Sequence, residues 1–217
     1  MATGTQDSPC TPYELLDIIT SPSGGLCMMP SDSYNEVFPN IYIGEESIAK
    51  NRVGLKRLGI THILNAAEGE TAFHVNTNFD MFKRVDIDYY GIQAMDQMNF
   101  QLTPYFDKSA EFIQKAIDSG GKVMVNCKVG ASRSATLVLV YLMIKHHLTI
   151  QDATRLVRTK REICPNDGFL QQLCDFNEKL KKAGHFIHNQ DEASANVESE
   201  HVKREEDGKG PHCVDSV

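Results

Sequence analysis

Tryptophan is absent from the 217 residues, and aromatic side chains make up only 8% of them. Long apolar runs are also missing. The longest, Ala135 to Ile144, is ended by Lys145, well short of the roughly 20 residues a membrane-spanning helix needs. Residues Met1 to Ser8 are polar and hold no apolar signal core. These absences predict a soluble protein of the cytoplasm, the nucleus or both, with no membrane partner. None of the six cysteines forms a C-x-x-C pair, and their spacings suggest neither a disulfide framework nor a zinc site. In a reducing compartment, five of them read as structural or incidental thiols. His146-His147 and the pair His185 and His188 lack carboxylate or cysteine companions in sequence, so the expected metal content is none, and no cofactor is expected. Excess positive charge is missing too: the net charge is -7, which argues against nucleic acid as a partner. From Gly184 onward, eight acidic residues stand against three basic ones, so most of the acidity belongs to the C-terminal end.

The remaining pattern alternates strands with helices. Thr11-Pro12-Tyr13-Glu14 reads as an N-cap, a proline at the first helical position and a capping glutamate. Asn35 to Ile43 reads as two strands turning at Pro39-Asn40, followed by helical patterning through Leu58 that Gly59 closes. Ile60 to Asn65, Ile87 to Ile92 and Lys122 to Asn126 read as buried strands. A helix begins at Thr103-Pro104 and runs to about Asp118, another opens at Thr149, and a last one covers Phe169 to Lys182. The predicted fold is α/β, a central, mostly parallel twisted sheet flanked by helices on both faces. The expected organisation is a flexible N-terminus over 1–10, one domain over 11–182, and an acidic disordered tail over 183–217.

The most informative segment is Val125-Asn126-Cys127-Lys128-Val129-Gly130-Ala131-Ser132-Arg133-Ser134. A strand end leads into a tight loop and then into an apolar helix. Cys127 opens the loop and Arg133 closes it. Lys128, Val129, Gly130, Ala131, Ser132 and Arg133 can turn their N–H groups around one oxyanion, at the positive end of the helix. A thiolate behind a bound phosphate is a nucleophile for phosphoester hydrolysis. Its pKa would be lowered by the helix end and nearby cations. The rigid guanidinium of Arg133 can clamp two phosphoryl oxygens, which a lysine could not do. Ser134 can donate to the sulfur and help expel it. A leaving group needs an acid, and Asp96, on the loop after a predicted strand, is the best-placed carboxylate.

This loop resembles that of the dual-specificity branch of the protein tyrosine phosphatase superfamily. Asn35-Glu36-Val37, Ile41-Tyr42-Ile43-Gly44, Gly59 to Ala67, the segment around Asp96 and Pro165 to Leu170 carry the same likeness, which covers about Thr11 to Lys182. The chain looks most like the atypical, vaccinia H1-related type, which has no separate kinase-docking domain. The resemblance implies a protein-tyrosine and protein-serine/threonine phosphatase with a phosphocysteine intermediate at Cys127. It implies oxyanion binding by Lys128 to Arg133, acid catalysis by Asp96, and phosphorylated proteins as partners, MAP kinases among them. It implies that Asn166 supports the loop from behind. Arg161 matches a basic residue that can meet a second phosphate, although a solvated arginine at a helix end would look the same in sequence.

Two positions depart from the family. Asn126 stands where the motif has histidine, which implies a higher Cys127 pKa and a slower first step. Ala131 stands where an aromatic wall is expected, which implies a wider pocket. Asn126 also opens an alternative, a catalytically impaired phosphoprotein-binding module (a pseudophosphatase). Thiol redox chemistry is a third reading and would need a resolving cysteine beside Cys127, for which Cys164 and Cys174 are the candidates in sequence.

Overall fold

The computed structural model describes residues 9–186; the expected flexible start and most of the expected acidic tail lie outside them. The chain opens with helix α1 (Pro12–Thr20), whose N-cap Thr11 accepts the Glu14 N–H at 3.2 Å. Strands β1 (Tyr34–Phe38) and β2 (Ile41–Gly44) form an antiparallel hairpin. Two short helices follow, α2 (Glu46–Lys50) and α3 (Arg52–Leu58), in place of the single helix expected from the pattern. Asn51 causes the break. Its backbone leaves the helical region, and its side chain accepts the Gly54 N–H at 2.9 Å to start α3. Strand β3 (His62–Asn65) leads to a short helix the sequence did not announce, α4 (Phe79–Lys83), capped by Asn78. Strand β4 (Asp88–Gly91), helix α5 (Phe106–Asp118) and strand β5 (Val123–Asn126) come next. The proline at Pro104 sits in a 3-10 turn before α5 rather than in its first turn. Helices α6 (Arg133–Lys145), α7 (Ile150–Arg158) and α8 (Asp167–Lys182) complete the described residues. None of these helices is long and apolar enough to cross a membrane.

The five strands lie in the order β1-β2-β5-β3-β4, antiparallel only at the β1–β2 hairpin. This is the α/β architecture expected from the alternation of elements. Strand β5 is central and fully buried, as a parallel strand covered on both faces must be. Its side chains alternate between two cores. Val123 and Val125 enter the larger one with α1 and α5 to α8, while Met124 enters the smaller one with Leu55, Ile63 and Phe82. Helix α6 is buried around nearly its whole circumference and forms the centre of the larger core. Registers place Gly44 and Asn65 on either side of Asn126. Three strands therefore end together, at the edge where ligands of open α/β sheets bind.

The cysteines depart from the sequence reading. Cys27 and Cys164 form a disulfide across 137 residues of chain, and Cys10 lies against Cys174 with the sulfurs 2.8 Å apart. No short spacing announces either contact because the fold, not the local sequence, brings the partners together. Both pairs hold the segment before β1 against the helical face. Arg158 adds to this by donating through Nε to the Ile19 carbonyl at 2.8 Å.

Candidate active site

The loop between β5 and α6 is held from outside by its carbonyl groups. Glu46 N–H donates to the Lys128 carbonyl at 3.2 Å and Cys164 N–H to the Ala131 carbonyl at 2.8 Å. Arg161 donates through Nη2 to the Val129 carbonyl at 3.3 Å and through Nε to the Gly130 carbonyl at 2.8 Å. In a planar trans peptide the C=O and the next N–H point in opposite directions. Four successive carbonyls pulled outward therefore turn the N–H groups of Val129, Gly130, Ala131 and Ser132 inward. The Gly130 N–H shows that direction, donating to Cys127 Sγ at 3.2 Å. Gly130 adopts φ +73°, and a Cβ there would lie 2.6 Å from the Gly44 carbonyl oxygen and 2.7 Å from Arg161 Nη2. Only glycine fits that close approach.

Cys127 is buried, and its sulfur also accepts from Ser134 Oγ at 3.2 Å. Burial alone would push the thiol up. The Arg133 charge, the Ser134 hydroxyl and the N–H groups of Ser134 and Gly130 outweigh it, and the net shift is downward. Stabilisation of the thiolate is the condition for nucleophilic sulfur near neutral pH. Arg133 is buried as the first residue of α6. Its Nη1 donates to the Ala94 carbonyl at 2.8 Å and the Phe73 carbonyl at 3.1 Å. Its Nε is buried without a hydrogen-bond partner among the described residues and stands 3.5 Å from Asp96 Oδ2. An unmatched guanidinium N–H beside inward-turned amides and a helix N-terminus suits a phosphoryl group.

Asp96 is brought to the loop from the segment after β4. Its Oδ1 accepts from Ser132 Oγ and from Asn166 Nδ2, each at 2.8 Å. Asn166 does more than was expected of it. Besides holding Asp96, it caps α8 by accepting the Phe169 N–H at 3.0 Å, and its own N–H reaches Ser132 Oγ at 3.3 Å. Lys128 pairs with Glu46 at 2.5 Å, at the rim. Val129 is exposed there, whereas Ala131 and Ser132 are buried in the loop wall.

Asn126 and Arg161 lie beside and beneath the loop. Asn126 is fully buried and donates through Nδ2 to Asn65 Oδ1 at 3.1 Å, across to β3, while its Oδ1 has no hydrogen-bond partner among the described residues. Its side chain bridges two strands. Arg161 is neither solvated nor at the surface: it is 1% exposed, beneath the loop. The turn after α7 folds it inward, where carbonyls replace the water it would otherwise need. Cys164 is bonded to Cys27 and is no free thiol, and the free thiol of Cys174 faces Cys10. The sequence reading missed Glu46, Ala94, Phe73 and Asn65. Ala94 and Phe73 serve through carbonyl oxygens, which any residue supplies, so no residue-type signal marks them.

Residues 41–179 match the family model described as the dual specificity phosphatase, catalytic domain. The chain belongs to the dual-specificity phosphatase family. Dual specificity protein phosphatase 26 of Homo sapiens and its counterpart in Pongo abelii are each 42% identical to it over 149 residues, covering 68% of this chain and 69% of theirs. The crystal structure of human DUSP28 superposes with a TM-score of 0.61 at 24% identity, over 69% of this chain and 96% of that one, a likeness of fold. The human tyrosine phosphatase-like serine/threonine/tyrosine-interacting protein superposes at 0.60 with 30% identity, over 67% and 95% of the two chains. Membership makes this protein a dual-specificity protein phosphatase of the atypical kind within the tyrosine phosphatase superfamily, with phosphoproteins as substrates.

Proposed function

We propose that the protein hydrolyses phosphotyrosine and phosphoserine or phosphothreonine through a phosphocysteine intermediate at Cys127. The carrying observation is the sulfur of Cys127, buried yet held by Gly130 N–H and Ser134 Oγ at 3.2 Å each. In the first step the thiolate attacks phosphorus, an S–P bond forms and the P–O bond to the leaving group breaks. Arg133 and the inward N–H groups of the loop take up the charge on the phosphoryl oxygens. Asp96 gives its proton to the leaving oxygen. With Oδ1 already accepting two hydrogen bonds, Oδ2 is the oxygen that carries it. In the second step Asp96, now a carboxylate, takes a proton from water, the water oxygen bonds to phosphorus, and the S–P bond breaks. Ser134 donates to the departing thiolate. The family resemblance supports MAP kinases as substrates.

The test is hydrolysis of p-nitrophenyl phosphate and of phosphotyrosine and phosphothreonine peptides across pH, with Cys127→Ser as the blank. Turnover of all three that vanishes in the variant is the expected result. Because Asn126 replaces the motif histidine, a second reading has one residue in its favour. Phosphate binding with turnover no better than the blank would establish that reading, a phosphoprotein-binding module.

A further inference from the structure

We propose that Arg161 is a positioning residue that sets the direction of the oxyanion-binding N–H groups, working from behind the loop and not on a second phosphate. The inference rests on the phosphatase reading of the same loop. All three guanidinium nitrogens are engaged with protein acceptors. Nε and Nη2 hold the carbonyls of Gly130 and Val129, and Nη1 donates to the Asp32 carbonyl at 3.0 Å and to Asn35 Oδ1 at 2.5 Å. The acceptors on one side belong to the catalytic loop. Those on the other belong to the start of the β1–β2 hairpin, where Asn35 Nδ2 is itself tied to Asp32 Oδ2 at 3.2 Å. Arg161 is thus a rigid strut between the edge of the sheet and the loop. Its fork fixes the peptides 129–130 and 130–131, whose N–H groups belong to Gly130 and Ala131. The first of these reaches Cys127 Sγ. A lysine has one nitrogen and no plane, so it cannot hold acceptors on both sides at once. Closure of the guanidinium over Gly130 also explains why a side chain there would collide with Nη2. With 1% of its surface exposed and four of its five N–H groups given to protein acceptors, the side chain is committed to the loop and the hairpin and is not presented to a second phosphate.

The experiment uses the full chain and the variants Arg161→Lys and Asn35→Ala, the latter removing only one anchor. Tungstate binding by calorimetry reads the oxyanion cradle without needing turnover. Alkylation of Cys127 by iodoacetamide across pH reads the Gly130 N–H at sulfur. Hydrolysis is compared for p-nitrophenyl phosphate, a singly phosphorylated peptide and a doubly phosphorylated one, and melting curves confirm folding. For folded Arg161→Lys we expect tungstate affinity to fall at least ~10-fold, the scale of losing oxyanion donors. The alkylation limb should move to higher pH, and kcat/KM should fall by one common factor on all three substrates. For Asn35→Ala the same changes should appear, smaller and in the same proportions. A loss confined to the doubly phosphorylated peptide would overturn the proposal, as would unchanged tungstate binding in either folded variant. Should Arg161→Lys fail to fold, Asn35→Ala decides the matter alone. Should the unsubstituted protein bind tungstate without turnover, the phosphatase reading fails, and the tungstate and alkylation arms still judge Arg161.

Discussion

Replacing Ser134 with alanine removes one oxygen from a site with little freedom to adjust. The hydroxyl is buried and donates to Cys127 Sγ at 3.2 Å. It is one of the groups that pull the thiol down against the cost of burial. Hydrogen bonds to a charged group contribute about 1.5–3 kcal/mol. One pKa unit corresponds to about 1.4 kcal/mol, so the thiol pKa should rise by about 1–2 units. The sign follows from which state the hydroxyl favours. It stabilises the thiolate, so its loss favours the thiol, and the limb along which activity rises with pH moves to higher pH. Below both limbs the variant should be about 10–100-fold slower at attack, in proportion to its lost thiolate. Above both limbs attack should recover. The second step should not, because sulfur must still leave as a thiolate without its donor. Phosphocysteine should then accumulate, visible as a burst of p-nitrophenol followed by slow turnover. Iodoacetamide alkylation against pH reports the thiolate independently of the phosphatase steps. An alkylation limb within about 0.3 units of the unsubstituted protein would refute the claim that Ser134 solvates the charged sulfur.

Gly130→Ala should destabilise the fold by about 1–2 kcal/mol from its left-handed φ alone, which lowers Tm by about 2–8 °C for a chain of this size. It should also cut kcat/KM about 100-fold through loop displacement; a variant as stable and active as the original would contradict the close approach to Gly44 and Arg161. Asp96→Asn should lower kcat on phenyl phosphate, whose leaving group needs a proton, by about 100-fold or more. It should lower kcat far less on p-nitrophenyl phosphate, and equal losses on the two would remove Asp96 as the acid. Asn126→His should move the Cys127 alkylation limb by less than about half a unit, because the side chain at 126 reaches Asn65 and not sulfur; a drop of a full unit would restore the pKa role suggested by the family motif.

Elements with strong periodicity or explicit punctuation are read directly from the chain. The apolar strand ending at Asn126, the apolar helix after it, the Thr11 and Thr149 caps and the Gly59 stop all stand where the sequence puts them. What sequence hides falls into three physical kinds. Asn51 looks like one more polar residue on a helix face, yet its side chain caps α3 and splits the helix. Cys27 and Cys164 are separated by 137 residues, so their pairing depends on tertiary placement that no spacing rule carries. Arg161 follows a helix end, where a charged residue usually meets water; only the loop carbonyls packed above it reveal why it is buried.

The same distinction separates the nucleophile from its setting. Cys127, Gly130 and Arg133 are legible because chemistry restricts the residue type at each position: sulfur to attack, no Cβ against Gly44, a planar fork for oxygens. The direction of the amides is set elsewhere. Glu46 and Cys164 hold the loop carbonyls through backbone N–H groups, which leave no trace in the motif. Arg161 holds two loop carbonyls through its side chain, and a match to the family could suggest the position but not its direction. Asn126 makes the complementary case. The departure from the motif is visible at once, but its consequence is decided by β3, whose Asn65 takes the amide and turns it away from the sulfur. The amide of Asn126 thus ties β5 to β3, while the Arg133 charge, the Ser134 hydroxyl and the Gly130 amide hold the Cys127 thiol down against burial.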